Sequence, residues 1–86
     1  MNFKVDMPVS VIFAYNCQRN LLVPLSVRWD GRDYKITKLG LHHTYREGRT
    51  LFHVFSVAGE SIFFRLVLNT DNLFWRLKEV SDGESN

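Results

Sequence analysis

From Phe3 to Tyr15 every odd position is apolar: Phe3, Val5, Met7, Val9, Val11, Phe13 and Tyr15. Lys4, Asp6, Pro8, Ser10, Ile12 and Ala14 occupy the even positions. A period of two built from β-branched and aromatic residues predicts a strand with one face turned to a core. Pro8 has no N–H to give to a ladder, so the strand is either at a sheet edge there or broken in two. The polar run Asn16-Cys17-Gln18-Arg19-Asn20 reads as a turn, and Leu21-Leu22-Val23-Pro24 leads into the next alternating stretch.

Asp30-Gly31 in that stretch signals a hairpin, because a type I′ turn needs positive φ at both central residues. A two-residue loop pairs Trp29 with Arg32, Arg28 with Asp33, Val27 with Tyr34 and Leu25 with Ile36. Leu25, Val27, Trp29, Tyr34 and Ile36 then share one face, opposite charges meet on the other, and Arg32 lies across the Trp29 ring. The alternation slips at Lys38-Leu39-Gly40-Leu41, where a glycine in a strand pattern marks a bulge or bend. His42 to Arg49 follows as a polar connection. The runs Thr50–Val57 and Ser61–Leu68 come next, joined through Gly59-Glu60 as a type II′ turn. This sets Leu51, His53, Phe55 and Val57 against Ile62, Phe64, Leu66 and Leu68. The last strand begins at Leu73, enters through Asn69–Asn72 and turns Leu73, Trp75 and Leu77 inward.

The pattern therefore predicts an all-β protein: a single small domain over residues 1–80, followed by a flexible acidic tail at 81–86. The expected architecture is a five-stranded antiparallel meander bent into an SH3-like half-open barrel. Bending is expected because the third and fourth strands are apolar on both sides.

Composition narrows the class. At 86 residues there is room for one domain. With 45% hydrophobic and 23% charged residues the chain resembles a globular protein rather than a disordered one. A net charge of +2 is too mild to imply nucleic acid by itself. Cys17 is the only cysteine, which excludes an internal disulfide and suggests a reducing compartment. No apolar run approaches the ~18 residues a membrane helix needs, and Asp6 and Pro8 interrupt what could otherwise be a secretory signal. The chain reads as a cytoplasmic protein starting at its own Met1.

The pattern Pro24-Leu25-x-Val27-x-Trp29-x-Gly31-Arg32-x-Tyr34-x-Ile36, with Phe74-Trp75-x-Leu77 near the end, resembles a group of small uncharacterised bacterial domain-of-unknown-function proteins. Those carry a similar hairpin and a closing Trp strand, and the likeness spans residues 9–80. It is also similar to proteins encoded near translesion DNA polymerase genes in some bacteria, which hints at a nucleic-acid connection. The resemblance implies no activity. The chain departs from the group at His42-His43 and Phe63-Phe64.

Candidate chemistry is sparse. His42, His43, His53 and Cys17 could supply metal ligands, but adjacent histidines on a strand point to opposite faces and no ligand spacing such as C-x-x-C is present. His53 falls on the apolar face, as a core or rim histidine. There is no phosphate-binding glycine loop, nucleophile motif or close carboxylate pair. The expectation is a non-enzymatic protein without cofactor or metal. One feature stands apart. Opposite the core, the last three strands carry Phe52, Val54, Phe63, Arg65, Val67, Phe74, Arg76 and Lys78. Pairing Asn69 with Asn72 would set Arg65 directly across from Arg76, a repelling pair that needs offsetting. Of these residues Phe52, Phe63, Arg65, Phe74, Arg76 and Lys78 are the candidate binding residues. Aromatic and basic side chains so mixed suit a protein partner or a homodimer; single-stranded nucleic acid is the alternative. A third possibility is that the N-terminal strand or the 40–50 segment covers the phenylalanines.

Overall fold

The computed structural model describes residues 2–82, with the Asn2 side chain excepted. It is all-β, with seven strands: β1 Asn2–Asn16, β2 Leu21–Trp29, β3 Arg32–Lys35, β4 Lys38–Glu47, β5 Thr50–Gly59, β6 Ile62–Asn69 and β7 Phe74–Ser81. They form one antiparallel sheet in the order β3-β2-β1-β7-β6-β5-β4, so the first strand pairs with the last. The five-stranded meander is thereby corrected to a curled seven-stranded half-barrel. The count rises by two for separate reasons, and only one of the two strands was missed, since both arms of the Asp30-Gly31 hairpin were expected. The Asp30-Gly31 hairpin makes β2 and β3 distinct, and His42–Glu47, read as a connection because it is polar, is the body of β4. That strand is an edge, exposed at every position. An edge strand buries little and so needs few apolar residues.

The Asp30-Gly31 turn has the expected form. Asp30 and Gly31 have φ of 54° and 75°, and the pairs Trp29–Arg32, Arg28–Asp33 and Val27–Tyr34 are all present. The Ile36 N–H donates to Leu25 O at 2.9 Å. Leu25 itself is not on the core face. It is the extra residue of a bulge, Ile12 pairing with Ser26 and Phe13 with Pro24, and the inward place passes to Pro24, which is buried. Trp29 meets the rings of Tyr34 and Phe64, and its indole N–H donates to Met7 Sδ. β1 runs through Pro8 unbroken, at a point where β2 has already ended, since the first β1–β2 pair is Ser10–Arg28.

Further bulges bend the sheet. Gly40 and Leu41 together face Ser56 between the pairs Leu39–Val57 and His42–Phe55, and a Cβ on Gly40 would stand 2.9 Å from Ser56 O. In β7 Lys78 is the extra residue between Leu77, opposite Leu66, and Glu79, opposite Arg65. Each bulge raises local twist, and the curl brings the β2–β3 hairpin over the inner face of β5 and β6. Tyr34 packs edge-on to Phe64 at 5.3 Å, and the Thr37 N–H donates to Ala58 O at 2.8 Å. The concave side holds the core of Val27, Phe55, Val57, Phe64, Leu66, Leu68, Trp75, Leu77 and Val80.

The β5–β6 register is displaced by two residues from expectation. Gly59 pairs with Ile62 around Glu60-Ser61, and Ser61 takes the positive φ of 60°. A two-residue slip preserves faces, so the expected inward set is unchanged. Gly59 is needed for room instead: a Cβ there would meet Lys35 O at 2.7 Å. Ser81 closes β7 and Asp82 follows; the rest of the expected acidic tail, 83–86, lies outside the described residues.

Two substitutions test this geometry by thermal melts. Gly31→Val, which forces a β-branched residue to positive φ, is expected to destabilise by about 1–2 kcal/mol. Arg28→Ala, which removes an exposed ion pair with Asp33, is expected to cost well under about 1 kcal/mol. Equal losses would contradict the turn.

Candidate functional site

Four rows of side chains cross the convex face of the sheet, each read along the registers of adjacent strands. The first is Tyr45, Phe52, Asn69, Phe74; the second His43, Val54, Val67, Arg76, Pro8. The third runs Ser56, Arg65, Glu79, Lys4 and the fourth Lys38, Ala58, Phe63, Ser81. The segments expected as possible covers, β1 and the 40–50 region, are strands at either side of β5–β7. They extend the face, leaving Phe63 and Phe74 open while Tyr45 of β4 covers part of Phe52. Phe74 is 68% exposed and Phe63 49%. Phe52 is half-buried because Tyr45 stacks on it, centroids 4.9 Å apart and planes within 11°. Val54 and Val67, at the middle of the second row, are buried.

The arginines are not opposed. The β6–β7 hairpin pairs Asn69 with Phe74 around residues 70–73, a four-residue loop in place of the two-residue one expected. Asn69 O accepts from the Leu73 N–H, and Asn72 Oδ1 caps the Phe74 N–H. Leu73, at φ 63°, completes the loop and is exposed rather than turned inward. The longer loop shifts β7 so that Arg76 faces Val67, and the Lys78 bulge then brings Glu79 opposite Arg65. Arg65 Nη1 lies 3.1 Å from Glu79 Oε2. Arg76 donates through Nε to Asp6 Oδ1 at 2.6 Å and through Nη2 to Asp6 O at 3.0 Å, and Lys78 Nζ joins the same carboxylate at 3.1 Å. The hydrogen bond from Arg76, then that from Lys78, hold the Asp6 carboxyl below its usual value. So the three candidate cations share two acids, which sequence reasoning passed over because Asp6 is seventy residues distant from Arg76. Tyr45 was missed with the rest of β4, although Leu41, His43, Tyr45 and Glu47 mark its outer side at every second position.

The candidate residues fall into two groups. Phe52 and Phe74 join Val67, Asn69 and Arg76 in a cleft of about 780 Å³ at the β1–β7 end. Phe63 and Arg65 line a second of about 370 Å³ with Lys38, Gly40 and Glu79. Lys78 lies in neither; its amine is held at Asp6.

On the concave side His42 and His53 meet, Nε2 to Nδ1 at 2.8 Å, with His42 lying flat on Phe55 at 4.2 Å. His43 points to the other face, opposite Val54, and Cys17 is in the β1–β2 turn, exposed. Desolvation pulls both histidines below their usual value, and for His42 the neighbouring His53 adds to it. Among the described residues no group of three or more His, Cys, Asp or Glu side chains is placed to hold a metal ion, and no helix is long and apolar enough to cross a membrane. No family model, curated protein or solved structure matches the chain.

Two outcomes follow. Depressed folded-state values for His42 and His53 mean that the unfolded chain takes up protons first, so stability is full above about pH 6.5 and falls as pH drops below it. The melting temperature should decline from pH 7.5 to 5 in the native chain and markedly less in His42→Gln/His53→Gln; identical slopes would contradict a desolvated pair. Arg76→Glu places a second carboxylate beside Asp6. It should lower the melting temperature at low salt, with the deficit shrinking as salt screens the repulsion; a stabilised variant would restore the opposed-arginine register.

Proposed function

We propose that this protein is a non-enzymatic binding module whose convex face receives a protein partner, a second copy of the chain included. The carrying observation is the state of the charges. Arg65, Arg76 and Lys78 are already engaged by Glu79 and Asp6, whereas Phe63, Phe74 and the Tyr45–Phe52 stack are open to solvent or half-open. A single-stranded nucleic acid draws its affinity from phosphates meeting free cations, and at Arg65, Arg76 and Lys78 each phosphate would first have to displace an acid. A protein surface demands less: exposed rings as anchors, ringed by ion pairs that remain satisfied at the rim.

Sedimentation of the purified chain over a range of concentrations tests self-association. Capture from the source cell after nuclease digestion, with cross-links mapped onto the chain, tests for a different protein. The expected association survives nuclease and high salt, and Tyr45→Ser with Phe63→Ser weakens it roughly tenfold or more while the fold is kept. Binding confined to single-stranded oligonucleotide, steeply salt-dependent and lost on neutralising Arg65 and Arg76, would overturn the reading in favour of nucleic acid.

A further inference from the structure

β1 changes neighbour partway along its length. It pairs with β7 from Asn2 to Val9 and with β2 from Ser10 to Asn16. In an antiparallel ladder, successive residues direct their N–H and C=O groups to alternate sides of the strand. Beyond Val9, every second residue of β1 therefore turns its backbone groups toward the side that β7 has left. Among the described residues no strand pairs with that side, and none of the turn and loop hydrogen bonds reaches it. The chain instead leaves β7 through the 70–73 loop, opening the cleft of about 780 Å³. Ser10, Val11 and Phe13 line it from β1; Leu73, Phe74 and Trp75 line it from β7 and its loop. The volume is that of a ligand site, ~300–1,000 Å³.

A second observation falls on the same wall. Trp75 is 95% buried by its 5% exposure, packed against Phe13 at 5.5 Å and Phe55 at 5.6 Å, and its Nε1–H has no hydrogen-bond partner. An indole N–H removed from water and left unpaired is costly, and such groups are rare in native folds.

We infer that the notch between β1 and β7 receives an extended polypeptide segment of a partner, added as a strand to the open edge of β1, with alternate side chains against Phe13 on the inner face and Phe74 on the outer. A carbonyl of the segment accepts from Trp75 Nε1 once the packing that now seals that atom from solvent gives way. The inference rests on the protein-binding reading and names the form of the partner. Only a polypeptide offers donors and acceptors alternating at about 3.4 Å per residue. A nucleic acid would bring acceptors without the matching donors, and a purely apolar molecule would leave both the edge and the indole unpaired. β4 presents the other long edge, but Lys38, Arg46, Glu47 and the Gly40-Leu41 bulge blunt it against strand addition.

The test uses the full chain and a capped heptapeptide of alternating Val and Thr with Lys at each end, followed by amide and indole chemical shifts. Saturable shifts should appear at Ser10–Asn16 and at the Trp75 indole. The same peptide N-methylated at alternate residues, which keeps the side chains and removes the ladder donors, should bind at least roughly tenfold more weakly. Trp75→Phe keeps a ring against Phe13 and Phe55 and should weaken binding about three- to tenfold; if that variant does not fold, the N-methylated peptide decides alone. Equal binding of both peptides, shifts centred on β4, or no saturable shift overturns the inference. Phe63 lies outside the notch, so Phe63→Ser separates the two readings. Peptide binding that fails while partner capture remains sensitive to Phe63→Ser removes the notch and leaves the convex face. Peptide binding without any such capture does the reverse.

Discussion

Everything in this fold depends on β1 being shared. It is fifteen residues long and works as two strands in succession, the first half closing the chain's end onto its beginning through β7 and the second half carrying the β2–β3 hairpin. Without the β1–β7 pairing there would be two small sheets, β1–β3 and β4–β7, neither with enough inner surface to form a core. With it, the hairpin swings over β5 and β6, and Trp29 and Tyr34 meet Phe64. The core of a chain this short is marginal, and this contact between the ends of the sequence is what lets its aromatic residues be buried together.

The same arrangement sorts the two faces. Because β1 lies beside β7, Asp6 comes within reach of Arg76 and Lys78, and the Lys78 bulge delivers Glu79 to Arg65. Charges that would otherwise repel across the ladder become paired. Phe63 and Phe74 remain exposed beside those ion pairs, and the split where β1 leaves β7 opens that face toward Trp75. The candidate surface is thus a by-product of how the ends meet.

Local features were legible in the sequence because their causes are local. The Asp30-Gly31 turn, its cross-strand partners and the Gly40 bulge follow from backbone conformations that a few residues dictate, and the inner and outer sides of β5 and β6 follow from period two. The identity of the outward residues Phe52, Phe63, Phe74, Arg65 and Arg76 was legible for the same reason. What was not legible depended on partners. β4 lacks an apolar face because it is an edge; Leu25 loses its inward place because of a bulge set by β1; and the β6–β7 register turned on whether the loop held two residues or four. The ion pairs needed Asp6 to be placed beside β7, which no pattern around position 6 announces.

Cross-strand proton contacts in the isotopically labelled protein measure the sharing of β1 most directly. The account predicts backbone contacts between Val9 and Trp75 and between Ser10 and Arg28, the last pair and the first pair of the two ladders, with none linking Val11 to Leu73. Contacts that carried the β1–β7 ladder on past Val9 to Leu73 would close the notch and contradict it.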